Sequence, residues 1–286
     1  MQRRVGLVAL VATAVLSGPV IIHSGQPEAG ASPATQTRRQ GVVVTDVKIP
    51  VPHQPSIDAY VVQPAGRLAR HSQAGVLWLH WLGQIHNDRT EYLAEAITLA
   101  DQGVVSVLPQ GYFPWVPDPD GTTNDVTLVE QQVDAMQAAL DRLVAIRAVD
   151  GSRISIVGHD YGAMYGALLA DRDHRVDTLV LEAPDATWGN WFALFWLGLE
   201  GQAYDDYLAL FDGLDPVEHT ARLGEHVLFQ WAGEDFFIPE AVRDAYAASS
   251  PSAQVLLYER ADHQLTDQAR LDRDAFLARE LGLGAG

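Results

Sequence analysis

The sequence predicts an α/β protein: a mostly parallel central sheet flanked by helices, with a short helical cap inserted late in the chain. Three observations predict it. Short runs that are apolar on both faces alternate with segments of helical periodicity, the pattern of strands covered by helices on both sides. An antiparallel strand pair precedes that alternation. One apolar run leads straight into a Gly-x-x-x-Gly turn and a string of small residues, as a sharp strand-to-helix bend requires.

At the start of the chain Arg3 and Arg4 precede an apolar run from Val5 to Ile22, and small residues occupy Ala29 to Ala34. A positive start, an apolar middle and a small-residue end form a secretory signal, so residues 1–34 are expected to be cut away near Ala31 or Ala34. The product would be secreted or extracytoplasmic, with no stable membrane association. Gly18-Pro19 interrupts the run, which argues against a persistent spanning helix. Residues 35–40 are polar and expected to be disordered, leaving 41–286 as one domain of a size that buries a full core.

Val42 to Ile49 and Ile57 to Val62 are β-rich and flank the turn-forming segment Pro50 to Pro55. Gly75 to His80 and Val104 to Leu108 are buried-strand runs, separated by a helix over Asp88 to Ala100. In the next helix Val126, Val129, Val133, Met136, Leu140 and Leu143 recur at steps of three and four and line one face. Ile154 to Val157, Thr178 to Leu181, Val227 to Trp231 and Val255 to Tyr258 supply four more strands, with helices around Pro239 to Ala248 and Leu265 to Leu281. The aromatic-rich stretch 186–216 breaks the alternation and is the expected cap.

Composition narrows the function. The chain has no cysteine, so disulfides and thiolate chemistry are excluded. A net charge of −18 repels phosphate backbones and anionic lipids, which excludes nucleic acid as a partner and leaves a small-molecule substrate. Ten histidines are scattered with no metal-binding spacing, so neither a metal nor a cofactor is expected.

The strand Ile154 to Val157 runs into Gly158-His159-Asp160-Tyr161-Gly162, with Ala163, Gly166 and Ala167 following. Glycines on both sides let the turn fit between strand and helix, and Asp160 is held out above the sheet at a helix N-terminus. Here the chain resembles the α/β-hydrolase superfamily from Val42 to its end. The layout is similar to the dienelactone hydrolases, in Leu79-His80-Trp81-Leu82-Gly83, Ala148 to Ile154 and Gly233 to Pro239. Its elbow departs from that group and resembles epoxide hydrolases and haloalkane dehalogenases, whose nucleophile is aspartate.

The resemblance implies a triad of Asp160 as nucleophile, Asp235 as supporting acid and His263 as base, in the expected chain order and each just past a strand. Glu182 and Asp185 are rival acids. Oxyanion stabilisation is expected from the backbone N–H of Tyr161 and of Trp81 or Leu82. Tyr204 and Tyr207 are candidate donors to a departing alkoxide, and Trp81, Trp188 and Trp191 to a departing halide; Tyr204, Tyr207, Trp188 and Trp191 form the expected substrate wall.

A carboxylate attacking a carbonyl gives an anhydride and gains little, whereas one attacking saturated carbon gives an alkyl ester that water can open. The sequence therefore points to hydrolysis of a small epoxide or halide. Two alternatives stay open: an esterase or lyase of dienelactone hydrolase type with Asp160 as base, and a binding protein on the same scaffold.

Overall fold

The computed structural model describes residues 36–39, 41–81 and 88–283. The leader expected over 1–34, and Leu82, lie outside them. Nine strands form one sheet in the order β1-β2-β3-β5-β4-β6-β7-β8-β9. The first three, β1 (Gln36–Arg39), β2 (Val42–Val51) and β3 (Gln54–Pro64), are antiparallel neighbours, and β3 runs antiparallel to β5 (Val104–Pro109). Pairing is parallel from β5 through β4 (Gln73–Leu79), β6 (Val149–His159), β7 (Thr178–Glu182), β8 (Val227–Ala232) and β9 (Gln254–Tyr258).

Residues 35 and 40 lie outside the described residues, and within the stretch 35–40 expected to be disordered, Gln36–Arg39 forms a strand. These polar residues have no apolar face, but the open edge of β2 offers unpaired backbone groups, and Thr37 pairs opposite Val44. Polarity alone hid a strand held by its main chain.

Alternating side chains divide the core between the two faces of the sheet. Leu77, Leu79, Ile154 and Ile156 face one way, against α2 (Thr123–Val144), α3 (Tyr161–Arg172) and α6 (Glu240–Ser249). Val76, Trp78 and Val157 face the other way, against α1 (Leu93–Ala100) and α7 (Asp267–Glu280). Each fully buried Val, Leu or Ile contributes roughly 1.5–3 kcal/mol. That double cover explains why the central runs are apolar but for the small, buried Ser106 and Ser155.

Helix α2 buries Val129, Val133, Met136, Leu140 and Leu143, as its periodicity requires, and Thr122 caps its N-terminus by accepting from the Asn124 N–H. Helix α1 is shorter than the expected 88–100. Asp88 accepts from the Thr90 backbone N–H and hydroxyl, which turns the chain before the helix begins. Among the described residues no helix is long and apolar enough to cross a membrane.

Between β7 and β8 the chain makes α4 (Trp188–Phe192), a π-helical turn (Ala193–Leu197), α5 (Gln202–Leu208) and three short 3₁₀ turns. Phe192, Phe211 and Trp188 bury their rings in the core that α2 and α3 share, so this excursion is packed down on the domain.

Candidate active site

Strand β6 and helix α3 meet at Asp160, whose φ of 52° and ψ of −119° are rare for a residue with a side chain. Such a conformation costs about 1–3 kcal/mol and persists only where the surroundings enforce it. They do so here. A Cβ on Gly158 would lie 2.4 Å from the Gly162 carbonyl oxygen, and one on Gly162 only 2.1 Å from that of Leu79. Only glycines let the turn close, and the Asp160 N–H is tied to the Glu182 carbonyl at 2.8 Å.

Asp160 is 3% exposed, and its Oδ1 has no hydrogen-bond partner. Burial pushes its carboxyl up to about 6, against the pull of positive charge at His263 and His159 and of the Tyr161 backbone N–H. The group is thus ionised at neutral pH yet poorly solvated, the condition of a reactive carboxylate.

His263 is brought beside it by the loop that follows β9. Its Nε2 lies 3.8 Å from the Asp160 Oδ1, and its Nδ1 lies 2.9 Å from the Asp235 Oδ2. Asp235 is fixed from its other oxygen by the N–H groups of Phe237 at 2.8 Å and Ile238 at 3.2 Å. Burial raises the Asp235 pKa, but those hydrogen bonds and His263 outweigh it and hold the carboxyl below its usual range. Asp235 therefore orients the imidazole with Nε2 toward Asp160. The rivals are committed elsewhere: Glu182 accepts from Tyr92 and Arg273, and Asp185 from the Thr187 N–H and Asn190.

The oxyanion expectation needs correction at Trp81. Its backbone N–H donates to the Glu91 carboxylate at 2.7 Å and is not free to meet an oxyanion. The Tyr161 N–H, in the first turn of α3, has no intrahelical acceptor and faces the Asp160 carboxyl. The Trp81 side chain does reach the site, with its ring 5.5 Å from that of His263.

Of the four expected substrate-wall residues, the structure brings one beside His263. Trp191 lies 6.4 Å from the His263 ring and 5.4 Å from Tyr161. Trp188 is fully buried and donates its indole N–H to the Leu214 carbonyl. The Tyr207 hydroxyl donates to Asp125 at 2.6 Å, and that of Tyr204 to Asn190 at 2.7 Å. The Tyr207 bond ties the cap to α2 and the other two brace the cap internally, so neither tyrosine hydroxyl is free for a leaving group.

Sequence reasoning missed Phe237 and the pair His159–Glu91. Phe237 packs edge-on to His263 at 5.1 Å and continues outward through Phe195 and Phe236. A lone glutamate before a helix carries no sequence signal, and Phe237 gave only its neighbourhood to Asp235. Among the described residues there is no cluster of three or more side chains able to hold a metal.

Solved structures of similar shape decide the fold. An acetyl xylan esterase from Paenibacillus sp. R4 superposes with a TM-score of 0.70 at 14% identity, over 87% of this chain and 88% of that one. A cold-adapted esterase from an Arctic intertidal metagenomic library gives 0.59 at 15% identity, over 86% and 97%. A Klebsiella pneumoniae protein designated a dienelactone hydrolase gives 0.55 at 18% identity, over 84% and 98%. This chain has the α/β-hydrolase fold. No family model matches it, and no curated protein matches it in sequence. In this fold the sharp bend at Asp160 joins β6 to α3, and the loops carrying Asp235 and His263 follow β8 and β9.

Proposed function

We propose that this chain is an exported hydrolase that displaces a leaving group from saturated carbon through Asp160. The observation that carries the reading is the 3.8 Å gap between the His263 Nε2 and the unpartnered Asp160 Oδ1. A serine needs its proton removed and sits in hydrogen-bond contact with the base; a carboxylate needs no such contact. The gap leaves its lone pair free and leaves the imidazole to act on water.

In the first step an Asp160 oxygen attacks the substrate carbon, and the bond to the leaving group breaks with its electron pair departing on that group. In the second, His263 takes a proton from water while the hydroxide adds to the Asp160 carboxyl carbon. The carbon–oxygen bond of the ester then breaks on the acyl side, and the alcohol leaves with the proton from His263. The Tyr161 N–H steadies the transient oxyanion. Asp160, left as the acid by the added hydroxide, releases that proton to solvent, so an alkyl halide and water become an alcohol, a halide ion and a proton.

An alkyl halide suits the site better than an epoxide, because halide leaves without a proton and the hydroxyls of Tyr204 and Tyr207 are engaged. The rim favours an apolar substrate: Phe195, Phe236 and Phe237 are exposed and join Trp191 and His263 in one aromatic surface. The N-terminal signal pattern supports export.

A second reading has specific support: the esterase names of the similar structures and a carboxyl raised to about 6, suited to a base. Incubating the His263→Gln variant with haloalkanes and epoxides separates the two. Displacement adds the mass of the alkyl group to the protein, at Asp160. An unmodified protein, with substrates the wild type turns over, rejects displacement and leaves the base reading.

A further inference from the structure

We propose that His159 is a positioning residue, a doubly protonated imidazole that clamps the His263 loop to the Trp81 segment beside Asp160. Its two ring nitrogens have unlike partners. Nε2 lies 2.9 Å from the main-chain oxygen of His263, and a carbonyl can only accept, so Nε2 carries a hydrogen. Nδ1 lies 2.7 Å from the Glu91 Oε1, whose second oxygen accepts the Trp81 N–H at 2.7 Å. Glu91, held below its usual carboxylate range, is ionised and accepts at both oxygens, so Nδ1 donates as well and the ring is a cation.

Three segments distant in sequence thus meet on one ring. The Trp81 indole lies parallel over it, with centroids 5.3 Å apart and planes at 2°, as a cation under an aromatic face should sit. Side chains at this junction are almost dry: that of His159 is 6% exposed and that of His263 is 7%. The titratable groups that face His159 are Glu91 before α1, Glu182 at the end of β7, Asp160 at the elbow and His263 on the last loop; Arg273 and His80 stand behind the two glutamates. Acidic groups predominate. Burial lowers the His159 pKa, but Glu91, then Glu182 and Asp160, pull it up to about 9. Glu91 responds in kind, since burial raises it and the charge of His159 brings it below its usual range.

The clamp does two things for the reaction proposed above, on which its kinetic consequences rest. It fixes the backbone of the base at the residue that must aim at water, and it places a permanent positive charge beside Asp160, which favours the ionised nucleophile.

Nitrogen-15 NMR of histidine-labelled wild-type protein tests the clamp without any substrate. His159 should carry hydrogens on both ring nitrogens at pH 8, and the Glu91→Gln variant should show it neutral at that pH. A neutral His159 in the wild type at pH 8 overturns the inference. In single-turnover kinetics, His159→Gln should slow hydrolysis of the ester roughly tenfold or more. It should also move the pH midpoint of ester formation upward by about one unit, because Asp160 loses a positive neighbour. A purely structural role would lower the amount of active protein and leave that midpoint in place, which counts against the inference. If the wild type forms no ester at all, the proposed reaction fails, and the NMR result alone decides the clamp.

Discussion

Replacing Asp160 by Asn is expected to stabilise the fold at pH 8 and to have little effect near pH 4. Burial pushes the native carboxyl up to about 6, whereas an aspartate in an unfolded chain titrates near 3.9. Between about pH 4 and 6 the native state therefore holds a proton that the unfolded state has released, and stability falls as pH rises through that window. Two pH units at about 1.4 kcal/mol each correspond to roughly 3 kcal/mol forfeited at pH 8. Asn has nearly the same shape, tolerates positive φ and carries no charge, so it should recover most of that. At about 2–4 °C per kcal/mol for a domain of this size, Tm should rise by about 6–10 °C at pH 8. Scanning calorimetry of both proteins from pH 4.5 to 8 measures the difference and its pH dependence. An Asn variant no more stable than the wild type at pH 8, or equally favoured at every pH, would refute the claim that Asp160 is a strained, desolvated carboxylate.

Gly162→Ala should cost more than about 4 kcal/mol in urea denaturation, or yield no soluble protein, since its Cβ would overlap the Leu79 and His80 carbonyl oxygens. Arg273→Met should cost about 3–5 kcal/mol by leaving Glu182 buried and charged without its cation; adding Glu182→Gln should return much of the loss in a double-mutant cycle. Tyr204→Phe should leave kcat/KM within about threefold for any substrate found, because its hydroxyl serves Asn190. A hundredfold loss would instead place that tyrosine at the reacting atoms.

Much of the fold was legible because the signals are local and physical. Runs such as Val104 to Leu108 are apolar at all positions but the small, buried Ser106 since both faces of the sheet are covered, and the steps of α2 match the stripe it buries. The elbow was legible for the same reason: two glycines around a polar residue between strand and helix have few other uses, and the clash distances at Gly158 and Gly162 show why. Other elements carried no such signal. Gln36–Arg39 is held by main-chain pairing to a neighbour's edge, which polar side chains do not advertise.

The sequence by itself determined the order of the strands along the chain, the bend that presents Asp160, and the chain positions of Asp235 and His263. Tertiary structure alone decided which groups meet. Glu91 captured the Trp81 N–H that an oxyanion was expected to use, Tyr204 and Tyr207 were spent on Asn190 and Asp125, and His159 became the link between two loops. The physical reason is that a hydrogen bond is a property of a pair in space. Residue type states what a side chain can donate or accept, and packing chooses the partner.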